Sequence, residues 1–192
     1  MKLENKRIGF ALCGSFCTFD VALECMEEIK QEGADLTAII SQAADENDTR
    51  FMTADALKES LTQISGKPVI RSIVEAEPIG PKKMFDLLLV LPATGNTIAK
   101  MANGIADTTV TMAIKSHLRN NRPVVVAIST NDALGGNAKN IGALLNMKNV
   151  YFVSFGQDDP HNKPKSMIFK REMVLGALEW AFEGRQVQPV VM

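Results

Sequence analysis

Apolar and polar positions follow two alternating periods along this chain. Arg7–Cys13, Asp35–Ser41, Leu87–Leu91, Val124–Ile128 and Val150–Phe155 are short, nearly unbroken apolar runs. That is the pattern of strands covered on both faces, as in a parallel sheet. Between these runs the period lengthens to that of a helix. Thr18–Glu32 carries Ala22, Cys25, Met26 and Ile29 on one stripe and ends at Gly33. Thr53–Gln63 sets Ala54, Leu57 and Leu61, with Ile64 just beyond, on one side, and Gly66-Lys67-Pro68 breaks it before the apolar pair Val69-Ile70. Further helices are expected at Thr97–Ala102, Thr109–Leu118 and Ala138–Met147. A last helix is expected over Met167–Phe182, where Val174, Ala177, Leu178 and Ala181 fall at helical spacing. Strand–helix alternation of this kind predicts a three-layer α/β sandwich with a mostly parallel sheet. No repeat, low-complexity tract or linker interrupts it, so one domain is expected over residues 1–192.

Composition narrows the classes of function. A chain of 192 residues, 46% hydrophobic, buries a sizeable core. A formal net charge of −1 without a basic block argues against a nucleic-acid surface. The charged start, Met1–Arg7, lacks the apolar region of a signal peptide, and no stretch is long enough to cross a bilayer. A cytoplasmic protein without a membrane partner is expected. Three cysteines make no disulfide framework. Cys13 and Cys17 are spaced as a CxxxC pair, but two ligands do not close a zinc site and neither histidine is near them in sequence. All three are read as small, reduced packing residues, and no metal is expected.

The chemistry gathers where apolar runs give way to helical ones. Open parallel sheets bind ligands at the carboxyl ends of their strands, where helix N-termini offer free N–H groups. Leu88–Leu91 leads into Pro92-Ala93-Thr94-Gly95-Asn96-Thr97. Pro92 is expected to stop the strand, and the small Thr-Gly-Asn-Thr turn would let a flat ligand approach the backbone. A plain β–α turn with Thr or Asn as helix cap is the alternative. Gly14-Ser15-Phe16 after the first strand is not a GxGxxG fingerprint, yet Gly14 and Ser15 offer donors to a single phosphate. Ser41 and the Ser129-Thr130-Asn131-Asp132 segment occupy the corresponding ends of two other strands.

In this order, Gly14-Ser15, Ser41, Pro92–Thr97, Ala106-Asp107 and Ser129–Asp132 resemble the flavoprotein family of homo-oligomeric flavin-containing cysteine decarboxylases. The family's Pro-Ala-Ser-Ala-Asn-Thr marker stands here as Pro92-Ala93-Thr94-Gly95-Asn96-Thr97. The resemblance spans essentially the whole chain. It implies a Rossmann-like fold and an FMN cofactor, with the phosphate near Gly14, Ser15 and Ser41. The ring would lie by Pro92, Ala93, Thr94, Gly95, Asn96 and Thr97, often between copies of the chain, with Phe16, Ser129, Thr130 and Asn131 among the cofactor contacts. Longer marks at Asn120–Val125, Ser129–Gly135, Phe155–Pro160 and Lys163–Met167 resemble one branch of the family. That branch implies one half of a two-component oxidoreductase of the sporulating mother cell, the B-subunit, inactive without a separate A-subunit. The pair would form pyridine-2,6-dicarboxylate from a dihydro- or hydroxytetrahydro precursor. Two electrons must leave the substrate, and NAD(P) is expected on the A-subunit because this chain lacks the dinucleotide fingerprint.

Two departures bear on the chemistry. Pro78 stands where the decarboxylases carry their catalytic His, and proline can neither accept nor donate a proton. Their Pro-Ala-Met-Asn segment is replaced by Ser129-Thr130-Asn131-Asp132. The catalytic residue is therefore left unassigned. An independent FMN-dependent decarboxylase, a prenyltransferase relative and a non-catalytic partner protein stay as alternatives. Among other polar residues, His117 falls on the apolar stripe of Val110, Ala113 and Ile114 and reads as packed; His161 lies in a turn-rich segment. Asp45, Glu46 and Asp48 read as a surface loop. Arg50, following the second strand, is the preferred partner for a substrate carboxylate, with Asn96 and Asn131 beside it.

Overall fold

A computed structural model describes residues 3–192; the first two positions of the charged start lie outside it. The chain alternates as predicted. β1 (Arg7–Leu12), α1 (Phe19–Gln31), β2 (Asp35–Ile40), α2 (Gln42–Glu46), α3 (Ala54–Ser65) and α4 (Ile73–Ala76) make the first half. β3 (Leu87–Ala93), α5 (Gly95–Ala102), α6 (Thr109–Leu118), β4 (Val124–Thr130), α7 (Ala138–Leu145), β5 (Val150–Phe152), β6 (Phe155–Gly156), β7 (Met167–Phe169) and α8 (Val174–Phe182) complete it. The sheet runs β2-β1-β3-β4-β7-β6, with β5 also paired to β4. The pairs among β1 to β5 are parallel, while β4–β7 and β6–β7 are antiparallel.

The unbroken apolar runs have the expected cause, since each central strand is covered twice. Every residue of β3 is buried. One core packs Phe10, Leu12, Leu89 and Leu91 against Met26, Leu57 and Leu178 from α1, α3 and α8. The other packs Leu88, Val90 and Val126 with Phe85 and Phe152 against Ile98, Ile114 and Leu144 from α5, α6 and α7. Local chemistry sets the helix ends. Thr53 accepts a hydrogen bond from the Ala56 N–H to start α3, and Gly66, with φ +71°, ends it. Ser72 and Thr108 close capping boxes at α4 and α6.

Several expectations need correction. Pro92 does not stop the strand: β3 runs through it to Ala93, with the register against β4 shifting between Val90 and Ala93. Proline fits a strand at such an irregularity because no ladder N–H is required of it there, and its carbonyl still accepts from the Cys13 N–H. α5 starts at Gly95 rather than Thr97. Val150–Phe155 is two strands, because Val153 still pairs with β4 but Ser154 donates to the Pro189 carbonyl and Phe155 pairs with the C-terminal segment. Met167–Phe182 is not one helix. Met167 and Phe169 are buried with Ile168 between them, a strand period, and helix begins only at Val174. α2 and α4, each about one turn, are too short to show as a period. The acidic stretch is only in part a surface loop: Glu46 and Asp48 are exposed, but Asp45 is buried on α2, paired with Arg71 Nε at 2.9 Å and Lys58 Nζ at 3.7 Å. No helix among the described residues is long and apolar enough to cross a membrane.

His117, in the last turn of α6, is buried, its Nε2 donating to the Pro123 carbonyl at 3.1 Å. Burial disfavours the imidazolium and, against the backbone bond, lowers its pKa from 6.5 to about 4. A depressed folded-state pKa contributes stability that is present above pH 6.5 and lost as pH falls toward 4, on the order of 3 kcal/mol. Urea melts between pH 7 and pH 4 should show this fall, and His117→Gln, which retains a donor, should flatten it.

Candidate functional site

Parallel pairing brings the carboxyl ends of β1, β3 and β4 to one edge, and a cleft of about 640 Å³ opens there. Its lining comes from three β–α junctions and the β6–β7 loop. The first junction contributes Gly14, Ser15, Cys17 and Thr18; the second Thr94, Gly95 and Asn96; the third Ser129, Thr130, Asn131 and Asp132. Asp158, Lys163, Ser166, Met167 and Ile168 come from the hairpin. A 2.8 Å bond between the hydroxyls of Ser15 and Ser129 ties the first junction to the third.

The second junction rests on the third through a polar cluster. Thr94 caps α5, accepting from the Thr97 N–H at 3.3 Å. A Cβ on Gly95 would lie 2.5 Å from Asp132 Oδ1 and 2.6 Å from Asn137 Nδ2. Asp132 accepts from Thr130 Oγ1 at 2.5 Å and Asn137 Nδ2 at 2.7 Å, and Asn137 Oδ1 accepts from Asn140 at 2.8 Å. Gly95 is therefore small because the Asp132 cluster fills the space above it. With Thr94 serving as cap, Asn96 is exposed in the first turn. Neither Asn96 nor Asn131 spends its side-chain amide on another described residue.

Other predicted residues stand behind this surface. Pro92, Ala93 and Thr97 are buried and do not line the cleft. Thr97 Oγ1 donates to Cys13 Sγ at 3.3 Å. Burial pushes the Cys13 thiol up to about 11 against the hydrogen bonds from Thr97 and Thr94, keeping it protonated. Phe16 packs edge-on against Phe19. Ser41 sits at the start of α2, and its Oγ is the one buried side-chain polar atom without a hydrogen-bond partner among the described residues. Two residues on, Ala43 Cβ lies 3.2 Å from the position a Cβ would take on Gly14. Gly14 thus brings its backbone close to the segment that carries the unpartnered hydroxyl.

Arg50 is not part of the cleft: it is exposed and stacks over the Phe51 ring. Arg122 binds Asp86 and the Phe85 carbonyl at the opposite, amino edge of the sheet. Cys17 is not a packing residue but is exposed on the lining. Pro78 lies in a short turn against α6, away from the cleft. Sequence reasoning misses the hairpin residues, because Asp158–Asn162 reads only as a turn-rich segment and the three residues of β7 are too few to separate from the helical period that begins at Val174. Asp158 lies between Ser166 and Lys163. Partial burial pushes its carboxyl up, but hydrogen bonds from Ser166, its own backbone and Lys163 together hold it below its ordinary value.

This arrangement presents hydroxyls, amides and backbone groups from three strand ends over a wide cleft, the layout of a nucleotide or flavin site in an open α/β sheet. The chain belongs to the Flavoprotein family, whose model matches residues 1–180. It is similar to the B-subunit of dipicolinate synthase from Bacillus subtilis (strain 168), with 42% identity over 190 residues, 99% of this chain and 95% of that one. The crystal structure of the dipicolinate synthase B-subunit from Bacillus halodurans C superposes with a TM-score of 0.92 at 42% identity, covering 100% of this chain and 98% of that one. At 18% identity, the FMN-dependent cysteine decarboxylase SpaF shares the fold, with a TM-score of 0.69 and coverage of 94% and 97%.

The packing of Gly95 on Asp132 yields a stability contrast. Gly95→Ala should lower the unfolding free energy by about 1–3 kcal/mol, because Asp132 and Asn137 must shift. Asn96→Ala, one residue along but exposed, should change it by less than about 0.5 kcal/mol. Denaturant melts of the two variants measure both.

Proposed function

We propose that this chain is the flavin-binding half of a two-component enzyme that forms dipicolinate, pyridine-2,6-dicarboxylate, from a dihydro- or hydroxytetrahydro precursor. Likeness across the whole chain to the B-subunit of dipicolinate synthase carries this reading. The companion would be the A-subunit of dipicolinate synthase, supplying NAD(P). The setting would be the mother cell of a sporulating bacterium.

Two observations fit an FMN. The buried Ser41 hydroxyl lacks a partner, and Gly14, packed on Ala43, brings the backbone of the first junction beside it. Gly14, Ser15 and Ser41 would hold the phosphate, and Thr94, Gly95, Asn96, Ser129, Thr130 and Asn131 would face the remainder. FMN, when bound, would supply a two-electron acceptor for the aromatisation. The chain's own residues bind and orient the substrate. The amides of Asn96 and Asn131 offer both donors and acceptors to a carboxylate or ring nitrogen without adding charge. Gly95 keeps the first turn of α5 low enough for Asn96 to reach the cleft. A homo-oligomer completing the ring site between copies belongs to the same reading. Pro78 weighs against independent cysteine decarboxylation, since it carries no titratable group.

The test starts with the purified chain alone. Yellow protein that releases FMN, or colourless protein that takes it up, supports the reading; protein that refuses FMN in a fluorescence titration overturns the flavin part. Gly14→Glu should abolish FMN uptake with an unchanged far-UV spectrum, because the carboxylate would occupy the phosphate's place. Dipicolinate should form on co-expression with the A-subunit and not from either chain alone.

Asn96→Asp separates ligand contact from helix stability. Asp in the first turn of α5 suits the helix dipole, so stability should hold. The added charge repels a dicarboxylate, so dipicolinate formation by the two-component complex should fall about tenfold or more, while assembly is retained. Wild-type rates in this variant would remove Asn96 from the substrate site.

A further inference from the structure

The cleft carries three charges, those of Asp132, Asp158 and Lys163. Both carboxylates are turned toward protein. Asp132 faces Thr130 and Asn137, and Asp158 faces Ser166 and Lys163. Lys163 differs from them. Its contact with Asp158 is long, 3.3 Å, its side chain is 59% exposed, and an ammonium has three donors. At least two of those donors are unspent on the wall of the cleft.

The loop that presents Lys163 is held in shape. The Lys163 N–H donates to the Asp159 carbonyl and the Ser166 N–H to the Lys163 carbonyl, at 2.8 and 3.0 Å. Asp159 accepts from the Asn162 backbone and side chain, and Gln157 donates to the Pro164 carbonyl at 2.9 Å. The loop is also bound to the third junction, through the Leu134 N–H to the Lys165 carbonyl at 3.0 Å. The backbone that carries Lys163 is thus fixed relative to the junction of Asn131, and Asp158 directs the ammonium from it. Lys165, the neighbouring cation, lays its stem along Gly135 and does not line the cleft.

We infer that Lys163 is the residue that takes a carboxylate of the substrate, the role that sequence reasoning gives to Arg50. This rests on the dicarboxylate reading above. Asp158 positions the ammonium by its hydrogen bond and leaves the other donors to the ligand, while the uncharged amides of Asn96 and Asn131 serve the rest of the molecule. A flat diacid is then recognised by one charge-assisted contact and several neutral ones.

Titration calorimetry on the full chain tests this with pyridine-2,6-dicarboxylate, and with the neutral pyridine-2,6-dicarboxamide as control. Lys163→Met should weaken the diacid about tenfold or more and leave the diamide within about twofold, with FMN uptake unchanged. Lys163→Arg should restore most of the diacid affinity, and Lys165→Met should cost little. Diacid binding by Lys163→Met equal to that of the unsubstituted chain overturns the inference and leaves the dicarboxylate reading standing. An equal loss in Lys165→Met also overturns it, since the loop's general field would then suffice. If the unsubstituted chain binds no diacid, the dicarboxylate reading falls and the inference falls with it.

Discussion

The cleft depends on how closely α5 approaches the end of β4. A hydrogen is all that fits at Gly95, because Asp132 Oδ1, Asn137 Nδ2 and Thr130 Oγ1 already occupy the space a methyl group would need. That approach follows from β3 reaching Ala93, which pairs with Ile128 after a register shift and so brings Thr94 and Gly95 level with Ser129 and Thr130. Thr94 then caps the helix with its own side chain and leaves Asn96 unspent. Moving α5 outward would carry Asn96 away from Asn131 and open the cluster that holds Asp132.

The same constraint explains which parts of the site are legible in the sequence. Gly14, Ser15, Thr94, Gly95, Asn96 and Ser129–Asn131 all lie at carboxyl ends of strands, and a strand end is readable wherever an apolar run stops. Pro92, Ala93, Thr97 and Phe16 belong to the same segments but do not line the cleft. Sequence places a segment at an edge; the pleat and the helix turn then decide which of its residues face the ligand. Gly95 reads in the sequence as a place for a flat ligand, whereas its missing Cβ makes room for protein. Composition cannot separate these uses of glycine.

What stays hidden has a common physical origin. β4 has two successive neighbours on one side: β5 pairs parallel with Val124–Val126, and β7 pairs antiparallel with Ser129-Thr130. Nothing in a short apolar stretch records strand direction, so Val150–Phe155 reads as one strand. The three residues of β7 blend with the helical period that begins at Val174. The C-terminal segment supports this change of direction. Its Val190 carbonyl accepts from the Phe155 N–H, and the Met192 carbonyl lies where a Cβ on Gly156 would collide with it. The hairpin that closes one wall of the cleft therefore relies on residues some 35 positions further along, a separation that no local pattern reveals.

The distribution of charge across the two sheet edges separates support from recognition. At the amino edge, Arg7 and Arg122 converge on Asp86, whose carboxyl is held below its ordinary value chiefly by the hydrogen bond from Arg7. Those guanidinium groups are consumed in joining β1, β3 and the segment before β4, and they face away from the cleft. At the carboxyl edge, no arginine lines the cleft. Its carboxylates already have partners within the protein, and the uncharged amides and hydroxyls need none as costly as an ion's. A ligand entering there displaces water from neutral donors rather than stripping an unpaired buried charge, which would be the more expensive exchange. Discrimination between charged and neutral ligands would then fall to Lys163, whose charge faces solvent, and the fold carries it on the hairpin rather than on the sheet.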